Sequence, residues 1–388
     1  MLGNNQIVMK FIEQYQQLKV LFDLNHEVIQ IPGSRISIRN MEFQSHANLQ
    51  YGSSGYLEDS QIGENIRFRY PVLLPDGKLQ NDHAIVFLHG LNERSWDKHL
   101  AGAKFLAEKT GRAVILFPLS YHINRGLPEW TDARKMARLL EIRKGKYPQV
   151  KEASIVNLAL SERLTNCPER FFISGLQSAM DLIQLLKEIQ GGIHPLFKAC
   201  AKTDIFAYSI SCMLLQSLMM SNPDNILSDS KIVFFAGGSL FSHMQGISRF
   251  IMDSVAFESI RRFYFDATKR KNSIGKGFQP WIMENKFGRA FRAIMAPEIL
   301  KHVREKKMLF FRDKLMVIAL RDDKVIPVEG IKQATGENFF RSKRFRIVHF
   351  PYAYTHENPF PVLYRKIDEQ VEKAFQSVFS PTLEFYAG

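Results

Sequence analysis

From residue 84 onward the chain is punctuated by short, largely apolar runs: Ala84–Leu88, Ala113–Phe117, Ile205–Ala207, Ile232–Ala236, Leu315–Leu320 and Phe345–Phe350. A strand that is apolar on both faces cannot front water, so it belongs inside a sheet covered on both sides. The segments between the runs supply the covers. Trp96, Leu100, Ala103 and Ala107 fall on one helical face, as do Leu176, Ala179, Ile183 and Leu186. Leu363, Ile367, Val371, Phe375 and Val378 make a third stripe. This alternation predicts an α/β fold, a mostly parallel central sheet with helices on both faces.

Ahead of it, residues 7–22 carry Ile7, Val8, Phe11, Ile12, Tyr15, Leu18 and Phe22 at helical spacing. Glu27–Ile38 and Asn65–Leu74 alternate, broken by Pro32-Gly33 and Pro75-Asp76-Gly77, and read as antiparallel strands. We therefore expect an N-terminal helix and strand extension over 1–60 and a main domain over 61–388. Two intervals, 121–170 and 239–308, are too long for simple connections and read as insertions, the second a helical cap. Long connections at the carboxyl ends of strands are where binding loops and lids sit.

Composition closes off several classes. Of 388 residues, 45% are hydrophobic and 23% charged, which excludes a disordered or fibrous chain. Cys167, Cys200 and Cys212 are odd in number and lack C-x-x-C spacing, against a disulfide scaffold or a structural zinc site. The first residues lack a basic segment followed by an apolar one, and no run reads as a membrane span, so the expected location is the cytoplasm. The net charge of +13 is concentrated. Residues 261–314 hold 15 basic and 5 acidic side chains. No nucleic-acid motif accompanies them, and we read them as a solvated helical surface with no nucleic-acid partner.

The chemistry centres on Ala207-Tyr208-Ser209-Ile210-Ser211, where an apolar strand runs into a helix. A serine between small residues at such a turn has the form of a nucleophile elbow, with Ala and Ser in place of the usual glycines. Taken alone it reads better as a helix N-cap. Two further pieces follow in order. The Leu315–Leu320 run ends in Arg321-Asp322-Asp323, four residues short of Pro327 at Asp323. The Phe345–Phe350 run is followed by a loop carrying His356. Nucleophile, acid and base then fall at three strand ends in the order Ser209, Asp323, His356. Earlier, Val86-Phe87-Leu88-His89-Gly90-Leu91 ends a strand in His-Gly, a form suited to aiming the Leu91 N–H at a reacting carbonyl oxygen.

These residues resemble the α/β-hydrolase superfamily over 84–378. Segments such as His89–Trp96, Ser120–Arg125 and Ala159–Arg163 are similar to an uncharacterised bacterial branch of it. The resemblance implies a serine hydrolase of the esterase or lipase kind. Ser209, Asp323 and His356 would form the triad, and the N–H groups of Leu91 and Ile210 the oxyanion hole. Neither a metal nor an organic cofactor is expected. The partner would be a small ester or acyl substrate, apolar or anionic. Asn92, Tyr208 and Trp96 are candidates to touch it, with Arg94, His122 and Arg125 on nearby loops. The aromatic residues of 239–308, among them Phe250, Phe257 and Trp281, would roof an acyl pocket while Lys269, Arg270, Lys271 and Lys276 face water. A peptidase or thioesterase of the same fold, a catalytically idle fold used for binding, and a basic module for anionic lipid or nucleic acid are the other readings. The chain does not disclose acyl length, leaving group or oligomeric state.

Overall fold

The computed structural model describes residues 10–47, 49, 58–269, 278–362 and 365–388. Its strands are β1 (Val28–Gln30), β2 (Ile36–Gln44), β3 (Arg67–Pro75), β4 (Asn81–Leu88), β5 (Ala113–Leu116), β6 (Phe197–Tyr208), β7 (Ile232–Phe235), β8 (Leu315–Leu320) and β9 (Phe345–Val348). They form one sheet in the order β1-β2-β3-β5-β4-β6-β7-β8-β9. The first three strands and the β3–β5 pairing are antiparallel. From β5 to β9 every pairing is parallel. The strand order reverses about β4, so the edge beyond β4 and β6 holds a crevice where ligands bind in open α/β sheets.

Every apolar run of the sequence became a strand, and the period of two explains the layers. Ile205 and Ala207 face one core while Phe206 and Tyr208 face the other. The first face is covered by the helices Arg170–Gln190 and Ile210–Ser221. The second is covered by Asp97–Thr110, Phe11–Leu21 and Asp368–Ala387. Phe11 stacks on Phe375 at 4.7 Å, tying the N-terminal helix to the C-terminal one. That first helix is described from Phe11, and Ile7, Val8 and Leu363 lie outside the described residues.

The 121–170 interval contributes the helices Ala133–Lys146 and Leu158–Asn166. Asp132 starts the first by accepting from the N–H groups of Arg134 and Lys135, which satisfies donors the helix cannot. The 239–308 interval contributes Ser254–Lys269, Gln279–Met283, Lys286–Ala293 and Lys301–Phe310. Its aromatic side chains do not make a separate core. Phe278, Phe287 and Phe291 pack around Phe172 of the Arg170–Gln190 helix. This is why Ile210–Ser221 can be apolar all round: Lys286–Ala293 lies over the side that water would otherwise meet. The close approach within the insertion needs Gly288, where a Cβ would stand 2.2 Å from the Trp281 carbonyl oxygen.

The basic stretch is not uniformly solvated. Arg304 is buried and its guanidinium donates to the carbonyls of Ile299 and Pro297 at 3.2 and 2.8 Å. Lys269, as a side chain, and Arg270, Lys271 and Lys276 lie outside the described residues. Among the described residues no helix is long and apolar enough to cross a membrane.

Candidate active site

β6 ends at Tyr208, and Ser209 turns the chain into the Ile210–Ser221 helix with φ of +61°. A non-glycine residue held there is strained, and the strain persists because strand and helix fix both of its ends. The small neighbours are accounted for individually. Ala207 is fully buried against the helix face of the sheet. The Ser211 hydroxyl donates to the His89 carbonyl, so it ties the elbow to the loop after β4, a bond glycine could not make. The demand for a bare backbone falls instead on Gly237 after β7. A Cβ there would meet Cys212 Sγ at 2.4 Å and the Ser209 carbonyl at 2.6 Å.

Three side chains from three strand ends meet at this turn. Ser209 Oγ lies 2.6 Å from His356 Nε2. His356 Nδ1 lies 2.7 Å from Asp323 Oδ2. The other oxygen of Asp323 accepts from the N–H groups of Val325 and Ile326 at 2.8 and 2.9 Å. An ionised carboxylate only accepts, so Nδ1 carries the imidazole proton and Nε2 is left to accept from the serine hydroxyl. The neighbouring Asp322 points away and pairs with His349 at 3.0 Å. Glu329 accepts from Gln333 on its own helix.

The loop after β4 supplies the remaining pieces. The N–H groups of Leu91 and Ile210 have no protein acceptor among the described residues. His89 is a scaffold. Its Nδ1–H donates to the Gly90 carbonyl at 2.8 Å and its Nε2 accepts from Leu119 N–H at 2.9 Å. Glu93 fixes the next turn. One oxygen accepts from Gly90 N–H at 2.9 Å, the other from His99 Nε2 at 2.8 Å, and Lys98 pairs with it at 2.8 Å. Burial works against the charge on Glu93, but His99 and Lys98 outweigh it and hold the carboxyl well below its usual range.

The other candidates divide. Asn92, with φ of +61°, is a brace: its amide donates to the carbonyls of Val156 and Phe250 at 3.0 and 2.7 Å, while its side chain borders the cleft above Ser209. The Tyr208 hydroxyl donates to the His356 carbonyl, and the two rings lie nearly parallel at 5.7 Å. Arg94 borders the cleft and donates to the Val156 carbonyl. Trp96 does not reach the cleft. It is buried at the start of the Asp97–Thr110 helix, edge-on to His89, because the chain has already turned into the sheet's other cover. His122 is likewise buried, beside His89. Arg125 is fully buried on Asp181 at 2.6 Å.

Two spaces open at Ser209. A cleft of about 270 Å³ is bordered by Ser209, His356, Asn92, Lys98 and Glu357. A second, of about 30 Å³, is walled by Ile210, Met244, Met252, Phe257 and Val325. Glu93, Lys98, Tyr15 and Glu357 carried no motif and were missed in the sequence. Glu357 alone had a signal, its place beside His356. Of the aromatic residues expected to roof the pocket, Phe257 walls the smaller space and Phe250 borders the cleft. Trp281 does neither, packing instead against the core beside Gly288.

The buried histidines around the site set its acid tolerance. Burial pushes the His89 imidazole down to about 3, helped by His122, and pushes His122 down to about 4. The unfolded chain takes up these protons near an ordinary histidine value of 6.5, well before the folded one. Their contribution to stability is therefore present above pH 6.5 and is lost as pH falls toward 3 to 4. Thermal unfolding should shift to lower temperature between about pH 7 and pH 5, with His122→Asn flattening the slope. A melting temperature unchanged over that interval would refute this.

The sheet order, the strained elbow and the crevice at the carboxyl ends of β4 and β6 define an α/β-hydrolase fold. The chain belongs to the Family of unknown function (DUF6051), whose model matches residues 48–387. No curated protein matches the sequence. Among solved structures, an esterase of Pyrobaculum calidifontis is similar at 13% identity and a TM-score of 0.45, over 96% of this chain and 91% of its own. A bacterial heroin esterase is similar at 10% identity and a TM-score of 0.44, over 89% and 84%. Carboxyl esterase 2 of Tuber melanosporum is similar at 9% identity and a TM-score of 0.42, over 92% and 87%.

Proposed function

We propose that the protein is a serine hydrolase that cleaves carboxylic esters through an acyl-enzyme on Ser209. The observation that carries this is the unbroken hydrogen-bonded chain from Asp323 through His356 to Ser209, with links of 2.7 and 2.6 Å, ending on a strained serine that borders a cleft. His356 Nε2 takes the hydroxyl proton as Ser209 Oγ bonds to the carbonyl carbon. The N–H groups of Leu91 and Ile210 receive the negative oxygen, each such donor being worth about 10²–10³ in rate. The ester C–O bond then breaks, and the alcohol oxygen leaves with the proton from His356. Water, deprotonated by the same nitrogen, releases the acid and restores Ser209. Asp323 keeps the imidazole in the required tautomer and stabilises the imidazolium.

The idle-fold reading takes the missing elbow glycines as its motive, and the Ser211 bond and the close approach at Gly237 support the active reading instead. The test is covalent labelling. A fluorophosphonate should phosphonylate Ser209, as read by peptide mass, and abolish hydrolysis of 4-nitrophenyl acetate. Absence of both labelling and hydrolysis would sink the proposal.

A further inference from the structure

The two spaces at Ser209 differ in size, polarity and access to His356, and the reaction itself says which half of an ester each would hold. The alcohol oxygen must receive a proton from His356 Nε2 as it departs. The alcohol therefore lies on the side of Ser209 that His356 borders, the cleft of about 270 Å³. The acyl group is left the other side, bordered by Ile210 but not by His356.

That second side is small. Its volume is about 30 Å³, where a water-sized group needs roughly 10–15 Å³ on the same measure. A methyl or ethyl group fits as the walls stand, and a longer chain would need one of them to move. Its walls cannot retreat cheaply. Met244, Met252, Phe257 and Ile326 are all buried and belong to the main core. Gly246 backs onto Phe257, where even a Cβ would stand 3.0 Å from the ring. Close-packed interiors resist such displacement.

The cleft is roomier, and its lining mixes apolar surface with charged side chains. Glu93, Asp97 and Glu357 border it with Arg94 and Lys98, three acids against two bases. Arg94 and Lys98 keep donors beyond the bonds they make to Val156, Glu93 and the Glu357 carbonyl, and Asp97 and Glu357 offer acceptors, which suits a neutral alcohol bearing several hydroxyl groups.

Resting on the ester-hydrolase reading above, we infer that the substrate is an acetyl-sized ester of a bulky, polyhydroxylated alcohol, with acyl length limited by Met252 and Phe257. In such a substrate the bond broken joins the acetyl carbon to the alcohol oxygen, and water supplies the hydroxyl of acetate and the hydrogen of the freed alcohol.

The experiment compares kcat/KM on the unmodified protein over 4-nitrophenyl acetate, butyrate and octanoate, then over ethyl acetate and a mono-acetylated glucose. A pocket that rejects added methylenes discriminates by about 10–200-fold for each. Acetate should therefore exceed butyrate by about tenfold or more, and octanoate should be barely turned over. The acetylated sugar should exceed ethyl acetate. Met252→Ala, and Phe257→Ala where it folds, should raise butyrate relative to acetate. Octanoate turned over as well as acetate would overturn the acyl limit, and ethyl acetate turned over as well as the sugar ester would overturn the alcohol assignment. In both cases fluorophosphonate labelling of Ser209 would leave the hydrolase reading standing. No labelling and no turnover of any ester would overturn both.

Discussion

Ser209→Ala and His356→Ala should each abolish nearly all ester hydrolysis, leaving the fold intact. Groups that act as one unit are not additive. In a serine hydrolase, removing the nucleophile or the base alone costs about as much as removing the whole triad, on the order of 10⁶ in kcat. The double variant should therefore be no slower than either single one. Asp323→Asn should cost less, on the order of 10⁴, because it leaves nucleophile and base in place but favours the wrong imidazole tautomer. The loss should fall on kcat with KM little changed, since Ser209 and His356 form only a small part of the larger cleft's lining and Asp323 none of it. A second consequence separates this from simple misfolding. Asp323 also accepts from the N–H groups of Val325 and Ile326, so its asparagine variant should melt slightly lower. Ser209→Ala relieves nothing at the backbone and should melt close to the parent. Steady-state rates on 4-nitrophenyl acetate with melting curves decide the matter. A Ser209→Ala protein retaining a tenth of the activity or more would end the acyl-enzyme reading.

The second large effect lies away from the chemistry. Arg143 and Asp253 are both fully buried, with the guanidinium donating twice to the carboxylate at 2.5 and 2.8 Å. The same arginine reaches Glu162 at 2.8 Å and Thr165 at 2.9 Å. Arg143→Ala would strand the Asp253 carboxylate in a dry interior, which costs about 3–5 kcal/mol. Replacing both partners with apolar residues of similar volume is far cheaper, because neither desolvated charge remains. Asp253 also accepts from Ala256 N–H at the start of the Ser254–Lys269 helix, so the double variant still loses a cap worth about 1 kcal/mol. Denaturant titration should show this order: Arg143→Ala well below the double variant, the double variant slightly below the parent. The site should register it too. Asp253 follows Met252, which walls the smaller space at Ser209, so Arg143→Ala should also relax acyl selectivity. A single variant as stable as the double one would contradict the stranded-charge account.

What the sequence disclosed follows from which constraints are local. Strands buried on both faces must be continuously apolar, and the five such runs from Ala84 to Leu320 lie in the sheet, while the sixth, interrupted by Arg346 and His349, makes the half-exposed edge strand β9. Strand ends then place Ser209, Asp323 and His356 on one edge, so order along the chain was enough to bring them together. Side chains whose roles come from distant partners left no such trace. Trp96 read both as part of a core-facing helical stripe and as a candidate to touch substrate, and only the first holds, beside His89. Glu93 and His99 make a contact only because the chain turns at Gly90 and enters a helix within a few residues. The 239–308 segment read as a lid because its aromatic content has no internal address. In the fold most of that content wraps the Arg170–Gln190 and Ile210–Ser221 helices, leaving only the smaller of the two spaces at Ser209 beneath it.

The Phe11–Leu21 helix carries Tyr15 to the border of the cleft over Ser209, and also to an aromatic chamber of about 340 Å³ behind Tyr208. This helix lies ahead of residues 48–387, the stretch that the family model matches. The nucleophile, acid and base thus come from one stretch of polypeptide, and one piece of the entrance wall, Tyr15, from another. A chain identical across that span but fitted with another leading segment would retain the same nucleophile, acid and base while presenting a different doorway to the alcohol. Selectivity could in this way be exchanged as a module, by grafting beginnings rather than by remodelling the catalytic edge.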